Sequence, residues 1–148
     1  MSNTRRQIVQ AITASLMLVF PLWPAQSNLL VQEYCEMTLK ITELAELEWK
    51  DRVLLAQSHD GSLKPLDLKL QALESQYGRL RSQLYAHYSM TLTGYLRYGA
   101  SHQNAIKLYL EENAQVRGAL DDANRRIESL RQQMESAMSA RHAAGAKK

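Results

Sequence analysis

Read outward from Ala100, the sequence mirrors itself. The apolar positions Leu66, Leu70, Leu73, Tyr77, Leu80 and Leu84 answer Met134, Leu130, Ile127, Ala123, Leu120 and Val116, and each pair of numbers sums to 200. Each arm advances in steps of four and three. That spacing keeps one stripe of an α-helix facing a partner, and a constant sum is the signature of two antiparallel helices folded about one turn. The pattern predicts a long helical hairpin, which rules out most enzyme folds and names no reaction. At 148 residues the chain is long enough for one domain with a modest core and too short for two.

Residues 1–27 read differently. Arg5 and Arg6 give a positive start, Ile8 to Trp23 carry an apolar stretch without a charge, and Ala25-Gln26-Ser27 places small residues where a signal peptidase reads. Sixteen residues interrupted by Pro21 and Pro24 fall short of the roughly 20 that span a bilayer, so we expect a cleaved export signal, with retention as an inner-membrane anchor through residues 8–23 as the alternative. Either outcome sends the rest of the chain to the periplasm or beyond, because the arginines stay inside. Thr4-Arg5-Arg6-Gln7-Ile8-Val9 also loosely resembles a twin-arginine export signal.

Without that segment the charge changes meaning. Lys plus Arg falls from 18 to 16 while all 15 acids remain, so the net charge drops from +3 to +1. No dense basic stripe exists, and nucleic acid is not implied as a partner. Cys35 is the one cysteine; it cannot form a disulfide within the chain, and we expect it buried and inert, with pairing to another chain as the alternative.

Residues 28–142 form the expected single helical domain. Its first helix is expected over about 29–57, with an apolar face of Leu30, Tyr34, Met37, Ile41, Leu44 and Leu47 and with Glu33, Glu36, Glu43, Glu46 and Glu48 around the rest. The stripe widens after Trp49. Ser58 to Ser62 concentrates turn formers, and Pro65 suits the first turn of a second helix over about 66–98. Gly99 is read as a left-handed helix end and Ser101 as the cap of a third helix over about 102–141. Residues 143–148 are expected to form a flexible tail.

Charge places the first helix beside the hairpin. Residues 28–60 sum to −4 and residues 61–100 to +3. The positions flanking the seam on one edge, Tyr88, Tyr95, Leu110 and Met138, are apolar and need cover. The expected architecture is therefore all-α, an up-down-up three-helix bundle or coiled coil whose third helix projects beyond the others. One layer of the seam is polar, His87 opposite Asn113, and is read as a register-setting pair.

No phosphate-cradling glycine loop, zinc-binding Cys/His spacing or helix-borne His-Glu-x-x-His occurs, and no nucleophile and base are paired. Glu111-Glu112 and Asp121-Asp122 point to different sides of a helix. No motif calls for a cofactor. The leading expectation is a non-enzymatic exported protein that acts by protein–protein contact, as an adaptor, assembly factor or chaperone, or that pairs with itself through the third helix. Tyr85, Tyr88, Tyr95, Tyr98, Tyr109 and Leu110 are its candidate interaction surface. The alternative is a small metal- or haem-binding bundle, because Cys35, Met37, His87 and Met90 are soft ligands brought toward one end of the fold.

Overall fold

The computed structural model describes residues 30–59 and 63–145. Residues 1–29, which include the expected export signal 1–27, residues 60–62 of the expected first turn, and residues 146–148 lie outside them. The described chain is all-α, in five helices: α1 Val31–Ser58, α2 Leu63–His87, α3 Leu92–Ser101, α4 Gln103–Glu112 and α5 Ala114–Gly145.

Helix α1 is 28 residues long, about 42 Å at 1.5 Å per residue. The Leu30 N–H donates to the Glu33 carboxylate at 3.1 Å, which satisfies one of the donors that a helix start leaves open. Helix α2 runs antiparallel to it, since the Tyr77 hydroxyl donates to Asp51 at 2.9 Å while Arg81 pairs with Glu48. Helix α5 runs parallel, with Arg126 on Glu46 at 2.9 Å and the Arg141 Nε donating to the Ala56 carbonyl at 3.0 Å. The up-down-up bundle is thus realised. Its organisation differs from the expected hairpin: α1 packs against both α2 and α5, which meet each other little. The mirrored stripe does point inward, with Leu66, Tyr77, Leu84, Leu120, Ala123 and Ile127 buried, but it converges on α1 instead of closing on itself.

Two buried glutamates show how α1 can serve both neighbours. Glu46 and Glu48 sit two positions apart, and so on opposite sides of a helix. Glu46 meets Arg126 of α5 and, at 2.6 Å, Lys50; Glu48 meets Arg81 of α2 and, at 2.7 Å, Arg52. Both carboxylates are buried, and each is paired with two cations, which offsets the cost of removing it from water. On the α5 side, the Arg131 guanidinium lies 5.3 Å from the centre of the Trp49 ring. The complementary charge read from the sequence is therefore spent at defined pairs.

The second and third expected helices are each broken. The 66–98 helix stops at His87 because Ser89 adopts a left-handed backbone, with φ 51°. The Met90 N–H donates to the Tyr85 carbonyl and the Ser89 N–H to that of Ala86, both at 2.9 Å. This is the paired bonding of a Schellman motif, built on a serine where glycine is usual. The Thr91 hydroxyl then accepts from the Gly94 N–H at 3.1 Å and starts α3. The 102–141 helix breaks at Asn113, whose side-chain amide donates to the Tyr109 carbonyl at 2.8 Å. Because residues 88–113 are laid over one end, α5 begins level with the start of α1 and ends level with its finish. It does not project beyond its partners. Its backbone stays helical through Ala143, Ala144 and Gly145, residues expected in the tail.

Relieving the left-handed serine has a measurable consequence. Ser89→Gly should raise stability by about 1 kcal/mol, since a side chain pays roughly that for this conformation and glycine does not. Equilibrium denaturation checks it, and a loss of stability would contradict the turn described.

Candidate functional site

The short helices α3 and α4 cap the end of the bundle where α1 starts. Beneath them Tyr34, Cys35, Met37 and Tyr85 form a buried cluster, and Tyr88, Met90, Tyr95, Tyr98, Ile106, Tyr109, Leu110 and Val116 pack against it. Tyr34 stacks on Tyr95 at 4.8 Å and on Tyr98 at 4.9 Å, and Tyr98 in turn stacks on His102 at 4.0 Å between ring centres. The Thr38 and Tyr95 hydroxyls are 3.0 Å apart. The edge formed by Tyr88, Tyr95 and Leu110 is covered by α1, as the flanking pattern required.

Gly99 is not the helix end that the sequence suggested. It lies inside α3 with no positive φ, and a Cβ there would fall 2.3 Å from the Tyr34 hydroxyl. The glycine is needed because an aromatic side chain of α1 abuts the α3 backbone.

The candidate interaction surface is accordingly part of the packing of this head. Tyr85 is buried, and Tyr88, Tyr95, Tyr98, Tyr109 and Leu110 are half-buried. What the head exposes is a set of leucines that periodicity did not single out. Leu92, Leu96 and Leu108 are each more than half open to solvent, as is Leu30 at the start of α1. The signal was present: α3 alternates Leu92 and Leu96 with Tyr95 and Tyr98, which makes a ten-residue helix apolar on both sides.

The register-setting pair does not form. His87 is exposed at the end of α2, its ring edge-on to Tyr88 at 5.1 Å, while Asn113 turns back on its own helix end. The reason is the break at Ser89, which redirects the chain before the two positions can oppose each other. The same break separates the soft ligands. Met90 packs against the cluster that holds Cys35 and Met37, whereas His87 stays outside it. Among the described residues no three histidine, cysteine or acidic side chains converge on a metal-sized site.

The chemistry of the head is that of protonated groups. Burial pushes the Cys35 thiol above its ordinary range, and the neighbouring Glu36 carboxylate pushes the same way, so the thiolate that a nucleophile or soft-metal ligand requires is disfavoured. Burial also raises the Tyr34 and Tyr85 hydroxyls. A groove of about 650 Å³ beside the head has Ile106 and Leu110 in its floor and Lys107, Glu111, Arg117 and Asp121 at its rim. It is open to solvent along its length, and its rim charges balance.

Titration matters along the stalk instead. The Arg126 hydrogen bond holds the Glu46 carboxyl below the usual carboxylate range; burial opposes this, and Lys50 adds to it. A depressed carboxyl contributes stability that is fully present above its unfolded value, about 4.3, and is lost as pH falls through the folded one. Glu46→Gln should therefore flatten the loss of stability below about pH 4.3 while lowering stability at neutral pH. Denaturation midpoints measured across that range check it, and an unchanged acid limb would contradict the assignment.

Comparison of the chain with protein-family models, curated proteins and solved structures found no match.

Proposed function

We propose that this chain is a non-enzymatic helical protein, exported from the cytoplasm, that works by protein–protein contact as an adaptor, assembly factor or chaperone. The observation that carries the reading is the incomplete closure of the stalk. Leu70, Leu73 and Leu80 of α2 and Leu130 and Met134 of α5 remain only half-buried, because α2 and α5 both lean on α1 and meet each other little; we read the apolar edges left open in this way as the seam of an unfilled bundle. A helix from another protein is the natural occupant, laying its own apolar stripe along the seam. The outward face of α5, with Asp121, Asp122, Arg125, Glu128, Gln132, Gln133 and Glu135, is polar and exposed, so pairing through the seam is favoured over self-association through that face.

A photoreactive residue in place of Leu73 or Leu130, introduced in the living cell, tests the reading. It should yield a discrete adduct with another protein, whereas the same residue at Gln132 should not. A folded, abundant chain that gives no adduct from either seam position would reject it.

A further inference from the structure

We propose that residues 88–113 form a lid, hinged at Ser89 and Asn113, that lifts from the stalk as one unit and uncovers Tyr34, Cys35 and Met37 while α1, α2 and α5 stay together. The inference goes beyond the seam described above and does not rest on it.

The two parts of the fold are held by different means. The stalk buries Leu44, Val53 and Ala56 of α1, Leu66 and Tyr77 of α2, and Leu120, Ala123 and Ile127 of α5. It is also tied across its helices by the pairs of Glu46 with Arg126 and Glu48 with Arg81. Helices α3 and α4 contain no buried residue at all. Among the described residues no ion pair joins them to α1; Lys107 reaches Glu111 of its own helix instead, at 3.8 Å. What docks them is the stack of Tyr95 and Tyr98 on Tyr34 and the contact between the Thr38 and Tyr95 hydroxyls. Helices of ten residues are marginal on their own, and a segment with little buried apolar surface opens at a lower free energy than the whole fold.

The segment also has the joints that a lid needs. Ser89 is left-handed, with φ 51°, and Asn113 sits outside the helical region, with φ −113° and ψ 69°. A few residues at the ends of elements are enough to absorb a hinge motion, and turning at these two breaks no helix. His102, between α3 and α4, departs from helical dihedrals as well, but there the two helices are fastened together. The His102 N–H donates to the Tyr98 carbonyl at 3.0 Å, the Ile106 N–H donates to the His102 carbonyl at 2.9 Å, and the His102 ring stacks on Tyr98. The pair therefore moves as one body.

Beneath it lies a reporter of that motion. Cys35 is 1% exposed. Burial raises the hydroxyls of Tyr98 on α3 and Tyr109 on α4, and the Cys35 sulfur pushes both the same way, so it lies close to both lid helices. It is also the one thiol of the chain, and a thiol reagent reaches it only when the cover lifts.

The test follows the reaction of Cys35 with dithiobis(nitrobenzoate) in the full chain as guanidinium chloride is raised below the unfolding transition, at reagent concentrations where the rate stays proportional to reagent. The denaturant slope of a rate measured this way scales with the surface that opening exposes. We expect a rate far below that of the denatured chain, with a slope clear of zero and several-fold smaller than that of global unfolding. Gly99→Ala, which forces a methyl group between the lid and Tyr34, should raise the native rate tens of fold. Tyr77→Phe, which removes the hydroxyl bonded to Asp51 in the stalk, should lower the unfolding midpoint and leave the native rate unchanged. A labelling slope equal to that of global unfolding would overturn the proposal, because Cys35 would then be reached only when the whole fold opens. A slope of zero would overturn it too, as breathing confined to the surroundings of Cys35. So would equal acceleration by the two variants, and so would a thiol as reactive in the folded chain as in the denatured one.

Discussion

Gly99→Ala should lower stability by about 2 kcal/mol, the cost of forcing a methyl group into a packed contact. In an ordinary helix interior the same change gains about 0.5–1 kcal/mol, so the sign alone is informative. The new Cβ would lie 2.3 Å from the Tyr34 hydroxyl and 3.3 Å from the ring carbon that bears it. The ring cannot swing aside cheaply, because it stacks on both Tyr95 and Tyr98. Tyr34→Phe removes the clashing oxygen and leaves a contact that relaxes by a few tenths of an ångström. Gly99→Ala should then be neutral or stabilising in the Tyr34→Phe background. The double-mutant cycle, read by denaturant midpoints, should give a coupling of about 2 kcal/mol. If alanine stabilises both backgrounds, α3 does not sit against Tyr34.

Met37→Ala should be the costliest single truncation at the head, about 3 kcal/mol. Met37 has no exposed surface and lies among Tyr34, Cys35 and Tyr85 beneath the two short helices. Part of the loss is the apolar transfer term and part is the void that a held cluster cannot refill. The substitution should also weaken the near-ultraviolet circular dichroism of the stacked tyrosines, which a truncation at the far end, such as Leu66→Ala, should leave intact. A cost below about 1 kcal/mol would mean that the site collapses freely and that the head is not anchored on α1.

Much of this architecture can be read in the residues. The stripe from Leu66 to Leu84 and its mirror identify inward positions on α2 and α5, and Pro65 falls in the first turn of α2. What the mirror could not convey is which helix those positions face. A stripe specifies that a face is covered, and any third helix with apolar surface can cover it. Helix α1 hid its central role because two of its buried positions are Glu46 and Glu48, which any hydropathy pattern assigns to solvent. The widening after Trp49 was the visible trace of a helix with two covered sides. The breaks were missed for a different reason. A left-handed turn at Ser89 carries no glycine or proline to announce it, and Gly99, which does look like a terminator, is glycine for the sake of Tyr34. The site residues inherited those errors: once the chain turns at Ser89, His87 and Asn113 cannot share a layer.

The central place of α1 also sets a timetable for the growing chain. Its partners on one side, Tyr77 and Arg81, follow Asp51 and Glu48 by 26 and 33 positions, so a two-helix unit can form early. Its partners on the other side, Arg126 and Arg141, follow Glu46 and Ala56 by 80 and 85 positions. The 45 positions from Arg81 to Arg126 take roughly 2–9 s at ordinary rates of synthesis. Throughout that interval a half-built bundle displays an acidic and apolar flank with nothing to cover it, and whatever protects nascent chains has to protect that flank.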